Sequence, residues 1–442
     1  MINMLVLHPS IIVTMDEKER VLKDYYLGIE DGKICYLDKK KPENFEELIE
    51  LPKRVILPGF INSHTHVAMI PLRGLKDDVD LMDWLYNYIL PAEAKLKPSD
   101  VYYGALYGIA EMVSSGITTF ADMYYHEIEI AKAVLDAGVR ALLGYSLSDI
   151  WFKRPPEAEV EIAEKFYEDL ESLKRMRNDK NHLFFAYAPH SAYGCSKECL
   201  LLVRERATTR GVRIHIHLSE TLSEVKDVEE KTGLTPIKYL DAIGFLGRDV
   251  MAAHVVWVMD DTEFEILRSK GVHVLHNPTS NLKLASGIAP VPKMLGLGIN
   301  VALATDGPAS NNRLDMMKEM HIAALIHKGM TRNPKVVSAK EVLKMATING
   351  AKALGLDDKI GSIEIGKLAD LVVINLEKGL QSVPEHDIYS MIVYSLDSSF
   401  IESVYVGGVR IYHEGTFKFD IEKVKENVIE IRKRLEKEIE KV

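Results

Sequence analysis

Leu57-Pro58-Gly59-Phe60-Ile61-Asn62-Ser63-His64-Thr65-His66 is the stretch on which the reading of this chain turns: an apolar run after a Pro-Gly turn, ending in two histidines one residue apart. In an extended strand alternate side chains point to the same side, so His64 and His66 project together and can grip one metal ion. A single His-x-His is a weak signal. Its position at the end of a buried-looking strand raises the question of whether further ligands arrive from equivalent positions downstream.

Beyond it, further candidate strands fall at Ile117–Met123, Val139–Ser146, Leu183–Pro189, Val212–Leu218, Val250–Val256, Val272–His276 and Asn300–Thr305, which with the first makes eight. The segments between them, such as Glu157–Asn178, Lys197–Thr209 and Thr262–Ser269, space their apolar residues as helices packed on one side do. Strands alternating with helices imply a parallel sheet, and eight repeats imply closure into a (β/α)8 barrel. An open doubly wound sheet also fits the alternation, but it would normally carry a Gly-rich nucleotide turn after an early strand, which this chain lacks.

Upstream, Leu5–Met15, Tyr25–Glu30 and Lys33–Leu37 are short apolar runs, and Asp31-Gly32 between the last two is a hairpin signal. Downstream, Ala339–Leu354 reads as a helix, and the glycine-punctuated stretch from Gly361 to Ile374 returns to a β pattern that continues through Ser403–Tyr412. The expected architecture is α/β: a barrel over residues 57–358, a small composite β-sandwich domain built from 1–56 and 359–415, and a surface helix within 416–442.

With 442 residues and 47% hydrophobic content the chain can bury a large core, and a formal charge of −10 without a basic block argues against nucleic acid as partner. No apolar run approaches the length needed to span a bilayer, so a cytoplasmic protein acting on a small molecule is expected. Cys35, Cys195 and Cys199 cannot all pair within the chain and read as reduced thiols. Gln381 is the only glutamine among many Lys and Glu, a composition that suits heat.

In such a barrel the C-terminal ends of the strands form the active face. Strand one ends in His64 and His66, strand five carries His215-Ile216-His217 followed by Leu218-Ser219-Glu220, strand six has His254, strand eight runs into Thr305-Asp306-Gly307, and strand four adds Pro189-His190-Ser191. One histidine near an apolar run is more often structural than a ligand; several strands placing imidazoles and a carboxylate at one level is not a coincidence expected of structural residues. His215, two residues lower on its strand than His217, reads as structural, as do His273, His276, His321 and His327. Imidazole and carboxylate donors without thiolates suit Zn²⁺, with Fe²⁺ or Mn²⁺ as substitutes. Three histidines and an aspartate leave a position for water, whose pKa the metal lowers, and Asp306 or His254 can take its proton. Glu220 is placed as a proton shuttle.

These residues resemble the amidohydrolase superfamily of metal-dependent hydrolases over nearly the whole chain, in Pro58 to His66, His217-Leu218-Ser219-Glu220, His254, Thr305-Asp306-Gly307 and the late glycine-rich stretch ending at Val372. Some members hold two metals bridged by a carbamylated lysine on strand four. Phe184-Phe185-Ala186-Tyr187-Ala188-Pro189 has none, which implies one metal. Within the superfamily the chain looks like the branch that deaminates adenosine-type nucleosides, 5'-deoxyadenosine, 5'-methylthioadenosine, S-adenosylhomocysteine and adenosine, most closely in Leu72-Arg73-Gly74, Trp84-Leu85, Leu90-Pro91-Ala92-Glu93, Ala188-Pro189-His190-Ser191 and Asp306 to Asn312.

The resemblance implies that His64, His66, His217 and Asp306 bind the metal, with His254 near its water. It implies that Glu93 accepts the two ribose hydroxyls, that His190 meets the nucleoside, that Glu220 engages the purine ring, and that Trp84 and Ser310 line the substrate site. Read on sequence alone, Glu93 beside Lys95 and Lys97 is a solvated carboxylate, and Trp84 is a core aromatic. Arg140 and Arg154 are the candidates for an arginine at the 5' end. The resemblance also implies a homo-oligomer, a tetramer. Guanine, cytosine or s-triazine hydrolysis on the same scaffold is the alternative activity.

Overall fold

Gly59 is where the chain leaves one sheet for another. The computed structural model describes residues 4–439. In chain order the strands are β1 (Leu5–Val13), β2 (Val21–Lys23), β3 (Tyr26–Glu30), β4 (Lys33–Asp38) and β5 (Glu47–Pro58); then β6 (Phe60–Thr65), β7 (Ile117–Tyr124), β8 (Arg140–Leu147), β9 (Leu183–Pro189), β10 (Arg213–Leu218), β11 (Val250–His254), β12 (His273–His276) and β13 (Val301–Leu303); then β14 (Leu371–Asn375), β15 (Ile401–Val406), β16 (Val409–His413) and β17 (Thr416–Phe417). At the changeover the Gly59 N–H donates to the Asp370 carbonyl, and a Cβ on Gly59 would lie 2.1 Å from Thr118 Oγ1, so only glycine lets the two sheets approach this closely.

β6 to β13 pair in parallel, in chain order, to make the expected barrel. β13 closes onto β6 through the Asp306 N–H on the His64 carbonyl, 3.0 Å, and through Asn62, whose amide bonds Thr305 at 2.8 and 2.9 Å. Every residue of β6, β7 and β11 is buried, as a strand covered on both faces requires. Neighbours on a strand divide between two cores: Ala121, Leu142, Met251 and Ala302 fill the barrel, while Phe120, Leu143, Ala252 and Leu303 face the helices.

The other sheet is composite. Its order is β17-β16-β15-β14-β5-β1-β3-β4, with β2 on β1, so β14 from the far end of the chain lies antiparallel to β5, Val372 opposite Leu57. The Asp31-Gly32 hairpin forms as read, between β3 and β4. Arg140, at the start of β8, bonds Asp370, just before β14, in bidentate fashion at 3.0 and 2.9 Å, with both side chains buried, and so fixes the composite sheet against the N-terminal end of the barrel.

Three sequence expectations shift. β11 stops at His254 rather than Val256, because His254 and Val255 turn into the left-handed region with φ of 74° and 46°. β13 stops before Thr305 for the same kind of reason, Asp306 having φ 63°. The helix read over Ala339–Leu354 is two, Ala339–Met345 and Ile348–Leu354, broken at Thr347, whose hydroxyl bonds the Leu343 carbonyl. Helix Ile421–Ile439 docks on helix Pro98–Ser114 through Val424, Ile431 and Leu435, with Arg434 bonded to Asp100. Among the described residues no helix is long and apolar enough to cross a membrane.

Candidate active site

His64 lies at the end of β6, fully buried, and His66 one residue past it. Their Nε2 atoms each sit 3.4 Å from Asp306 Oδ1, and His217 Nε2 on β10 sits 3.4 Å from that of His66. Four donors from three strand ends therefore converge on one point. The opposite ring nitrogen of each imidazole is committed. His66 Nδ1–H donates to the Met123 carbonyl at 2.7 Å, and His217 Nδ1–H donates to that of His190 at 2.8 Å. His64 Nδ1 lies 2.8 Å from His215 Nε2. The two carbonyls hold the protons of His66 and His217 on Nδ1 and leave each Nε2 as a lone pair directed at the common point, and His215 is placed to do the same for His64, which is how a metal-binding imidazole is held.

The donor set fits a divalent metal. Among the described residues His64 Nε2 is buried with no hydrogen-bond partner, an unsatisfied polar atom whose burial costs free energy that a bound cation would offset. Burial pushes His64 down to about 3 and holds His217 well below the usual range, so both stay neutral, as ligands must. Two groupings meet metal-ligand spacing here, His64 with His66 and His217, and His64 with His254 and Asp306. β9 brings no lysine into the cluster.

Asp306 is held on both oxygens. Oδ1 accepts the Gly307 N–H at 2.6 Å; Oδ2 accepts the hydroxyls of Ser280, 2.6 Å, and Ser310, 2.9 Å. Burial opposes its charge, but the imidazoles of His64, His66 and His254 overcome this and keep its pKa well below the usual carboxylate range. His254, at the end of β11, bonds Asn281 Oδ1 at 2.9 Å through Nδ1 and turns Nε2 toward Glu220 Oε2, 3.7 Å away. Glu220 Oε1 accepts the Ser286 hydroxyl at 3.1 Å, and burial raises its pKa. The loop bearing it is pinned by Glu224, which accepts the N–H groups of Ser219 and Glu220 at 2.9 and 2.7 Å.

One cavity gathers the sequence candidates: His66, His217, Glu220, His254 and Asp306 at its floor, with Trp84, Glu93, His190 and Ser310 on its walls. The helical stretch Leu81–Glu93 folds over the barrel mouth and carries Trp84 and Glu93 into it. This corrects the solvated reading of Glu93. Burial pushes its carboxyl up to about 7, partly offset by the Tyr124 hydroxyl, while nearby Lys95 turns away to bond the Glu438 carbonyl. Trp84 is both core and cavity wall, 6% exposed. His190 packs its ring on Trp151, centroids 4.2 Å apart.

Arg140 and Arg154 do not enter the cavity: Arg140 belongs to the Asp370 pair, and Arg154 is bonded to Glu159 at 3.0 Å and Tyr145 at 3.3 Å. His215, read as structural, touches His64. Ser280, Asn281 and Ser286 were missed; the signal was the polar run Asn277 to Asn281 directly after an apolar strand. A separate buried grouping, Asp149 with Cys195 and Cys199, is bonded within the chain, Asp149 to the Ser196 N–H and Cys195 Sγ to the Leu147 carbonyl.

The sequence model of the amidohydrolase family matches residues 55–411. A 5-methylthioadenosine/S-adenosylhomocysteine deaminase of Thermococcus sibiricus is 46% identical over 397 residues, 90% of this chain and 91% of that protein. A 5'-deoxyadenosine deaminase of Methanocaldococcus jannaschii is 45% identical over 408 residues, 91% and 94% of the two chains. Among solved structures, an adenosine deaminase of Xanthomonas campestris with bound zinc superposes with a TM-score of 0.92 at 31% identity, covering 98% of each chain.

Proposed function

The chain belongs to the amidohydrolase family, and from that premise we propose that it is a hydrolase that deaminates adenosine-type nucleosides modified at the 5' position, releasing ammonia and the inosine-type product. The observation that carries this reading is Glu93 lining the same cavity as the His64, His66, His217 and Asp306 cluster. One carboxylate can accept both hydroxyls of a ribose, and in this wall the Tyr124 hydroxyl is the protein group beside it. A free base or an s-triazine would leave it idle.

His64, His66, His217 and Asp306 would hold one divalent metal, zinc by its preference for imidazole and carboxylate donors and by the zinc in the Xanthomonas campestris structure. The ion supplies Lewis acidity and lowers the pKa of water toward neutrality. Glu220, protonated with the help of its burial, delivers its proton to the ring nitrogen beside the carbon that bears the amine. His254, fixed by Asn281, and Asp306, fixed by Ser280 and Ser310, take up one proton of the water and hand it to the departing amine, while the water's second proton returns to Glu220, so that a carbon–oxygen bond replaces the carbon–nitrogen bond and ammonia leaves. His190 and Trp84 orient the nucleoside, and the Leu81–Glu93 stretch keeps bulk solvent away.

A reducing, cytoplasmic setting is supported by the exposed free thiol of Cys35. A homo-oligomer belongs to the same reading, and sedimentation tests it.

The deciding experiment measures ammonia release by metal-loaded protein from 5'-deoxyadenosine, 5'-methylthioadenosine, S-adenosylhomocysteine, adenosine, adenine, guanine and cytosine. Turnover of nucleosides with little on free bases is expected. Turnover confined to free bases would remove Glu93 from its role and overturn the assignment.

A further inference from the structure

β7 and the helix that follows it carry two buried carboxyls for which the chemistry above has no use. β7 ends at Tyr124, and a left-handed turn at His126, φ 54°, brings Glu127, the first residue of helix Glu127–Ala137, back over the strand end beside Asp122. Asp122 is 1% exposed and Glu127 2%. Each commits one oxygen to the main chain: Asp122 Oδ1 accepts the Val67 N–H at 2.6 Å, and Glu127 Oε1 accepts the Tyr124 N–H at 2.6 Å. The two carboxyls lie within hydrogen-bonding reach of each other. Among the described residues their remaining oxygens, Asp122 Oδ2 and Glu127 Oε2, are buried and meet no donor.

Two bare carboxylates side by side in a dry site repel, and each leaves an oxygen unsatisfied. One proton removes both costs. Between Oδ2 and Oε2 it turns the repulsion into a hydrogen bond from an acid to a carboxylate, the strong kind that an ionised acceptor makes. Among the described residues no lysine, arginine or histidine faces either carboxyl to neutralise it instead. Burial raises both groups above the usual carboxylate range, in keeping with a proton retained near neutral pH.

What the pair holds is the backbone around one imidazole. The Val67 N–H belongs to the peptide that directly follows His66. The Tyr124 N–H belongs to the same peptide as the Met123 carbonyl, and that carbonyl accepts His66 Nδ1–H at 2.7 Å. Glu127 therefore fixes, and by accepting its N–H polarises, the peptide that orients the His66 ring, while Asp122 fixes the chain where it leaves His66.

We propose that Asp122 and Glu127 share one proton and act together as a positioning pair for His66, a role that rests on the nucleoside reading above only for its turnover readout. The test exchanges each acid for its amide, alone and together. It reads zinc Kd by chelator competition, kcat/KM of the zinc-loaded protein on 5'-deoxyadenosine, and infrared difference spectra at neutral pH. In Asp122→Asn the amide oxygen keeps the Val67 N–H and the amide nitrogen donates to Glu127; Glu127→Gln does the converse. Either change alone stands in for the shared proton, so zinc Kd and kcat/KM are expected to stay within about 3-fold of wild type, short of the roughly 10- to 100-fold loss of an orienting partner. Made together, they set two amide nitrogens against each other, and turning either amide over only moves the clash to the N–H of Val67 or Tyr124. The double variant, and Asp122→Ala, are expected to lose at least about 10-fold in both measures. The wild type is expected to show the carbonyl band of a protonated carboxyl that each single amide variant lacks. A double variant no worse than the singles overturns the proposal, as do single variants as damaged as Asp122→Ala, or a band that survives in both singles. If the double variant fails to fold, the band, the singles and Asp122→Ala decide. With no turnover of any nucleoside the substrate reading falls alone, and the band and zinc Kd still decide the pairing.

Discussion

Replacing His215 with leucine tests the metal centre from a residue that does not itself face the metal point. His215 Nε2 lies 2.8 Å from His64 Nδ1, placed to accept its proton and so to hold the tautomer in which His64 Nε2 carries a lone pair. Leucine fills much of the same space but accepts nothing, so His64 Nδ1–H becomes a buried donor without a partner, which costs about 1–3 kcal/mol in the folded state. The imidazole can relieve this only by moving its proton to Nε2 or by rotating, and either turns the lone pair away from His66, His217 and Asp306. Loss of such an orienting partner typically weakens metal binding about 10- to 100-fold, equivalent to about 1.4–2.7 kcal/mol. The assay is zinc binding to metal-free protein in competition with a chromophoric chelator, with circular dichroism to confirm that the fold persists. His215→Gln, which retains an acceptor, should fall between wild type and His215→Leu. A zinc Kd for His215→Leu within about 3-fold of wild type, well below the usual loss, would refute the claim that this contact sets the tautomer of His64.

Four further outcomes are expected. Because burial raises Glu93 to about 7, its carboxylate is lost as pH falls through that value, so kcat/KM for nucleosides should decline on the acid side and Glu93→Gln should remove that limb from the pH profile. The same shift lies above the unfolded value of 4.5, so the contribution of Glu93 to stability is fully present below about 4.5 and lost as pH rises through 7; thermal melts of Glu93→Gln should gain on wild type at alkaline pH. Glu220→Gln should bind zinc normally by chelator competition yet lose about 10²- to 10⁴-fold in turnover, the range for a positioned proton donor. Asp370→Ala strands the buried Arg140 guanidinium and should cost about 3–5 kcal/mol in denaturant unfolding, while Arg140→Met with Asp370→Leu together should recover most of it.

The barrel was legible because its strands are buried on both faces and so spell near-continuous apolar runs, and because His64, His66, His217, His254 and Asp306 recur at the ends of those runs. Where strands stop was less legible: the left-handed turns at His254, Val255 and Asp306 leave no mark in composition, since none is a glycine. The environment of Glu93 could not be read locally, because its burial depends on Tyr124 and Trp151 arriving from other strand ends. His215 holds to its reading as a structural residue, but its partner was not legible, for a related reason. Strand periodicity places it correctly below His217, but that same level is where His64 presents its Nδ1, a relation across the barrel that spacing along one strand does not encode.

The pairing of β5 with both β1 and β14 has a consequence for synthesis. β5 can pair with β1 as soon as both have left the ribosome, but its other edge must wait for Leu371–Asn375, made roughly 300 residues later. At about 5–20 residues per second that is on the order of 15–60 s during which Val55, Ile56 and Leu57 offer open backbone to any passing strand. Lys53 and Arg54 sit at the outer end of that edge, one in a left-handed kink and one charged against Glu377 and Glu402 in the finished fold. Charge and a kink on an open edge discourage pairing with the wrong chain, so these two residues guard the nascent protein through the interval in which the whole barrel is being made inside an unfinished sheet.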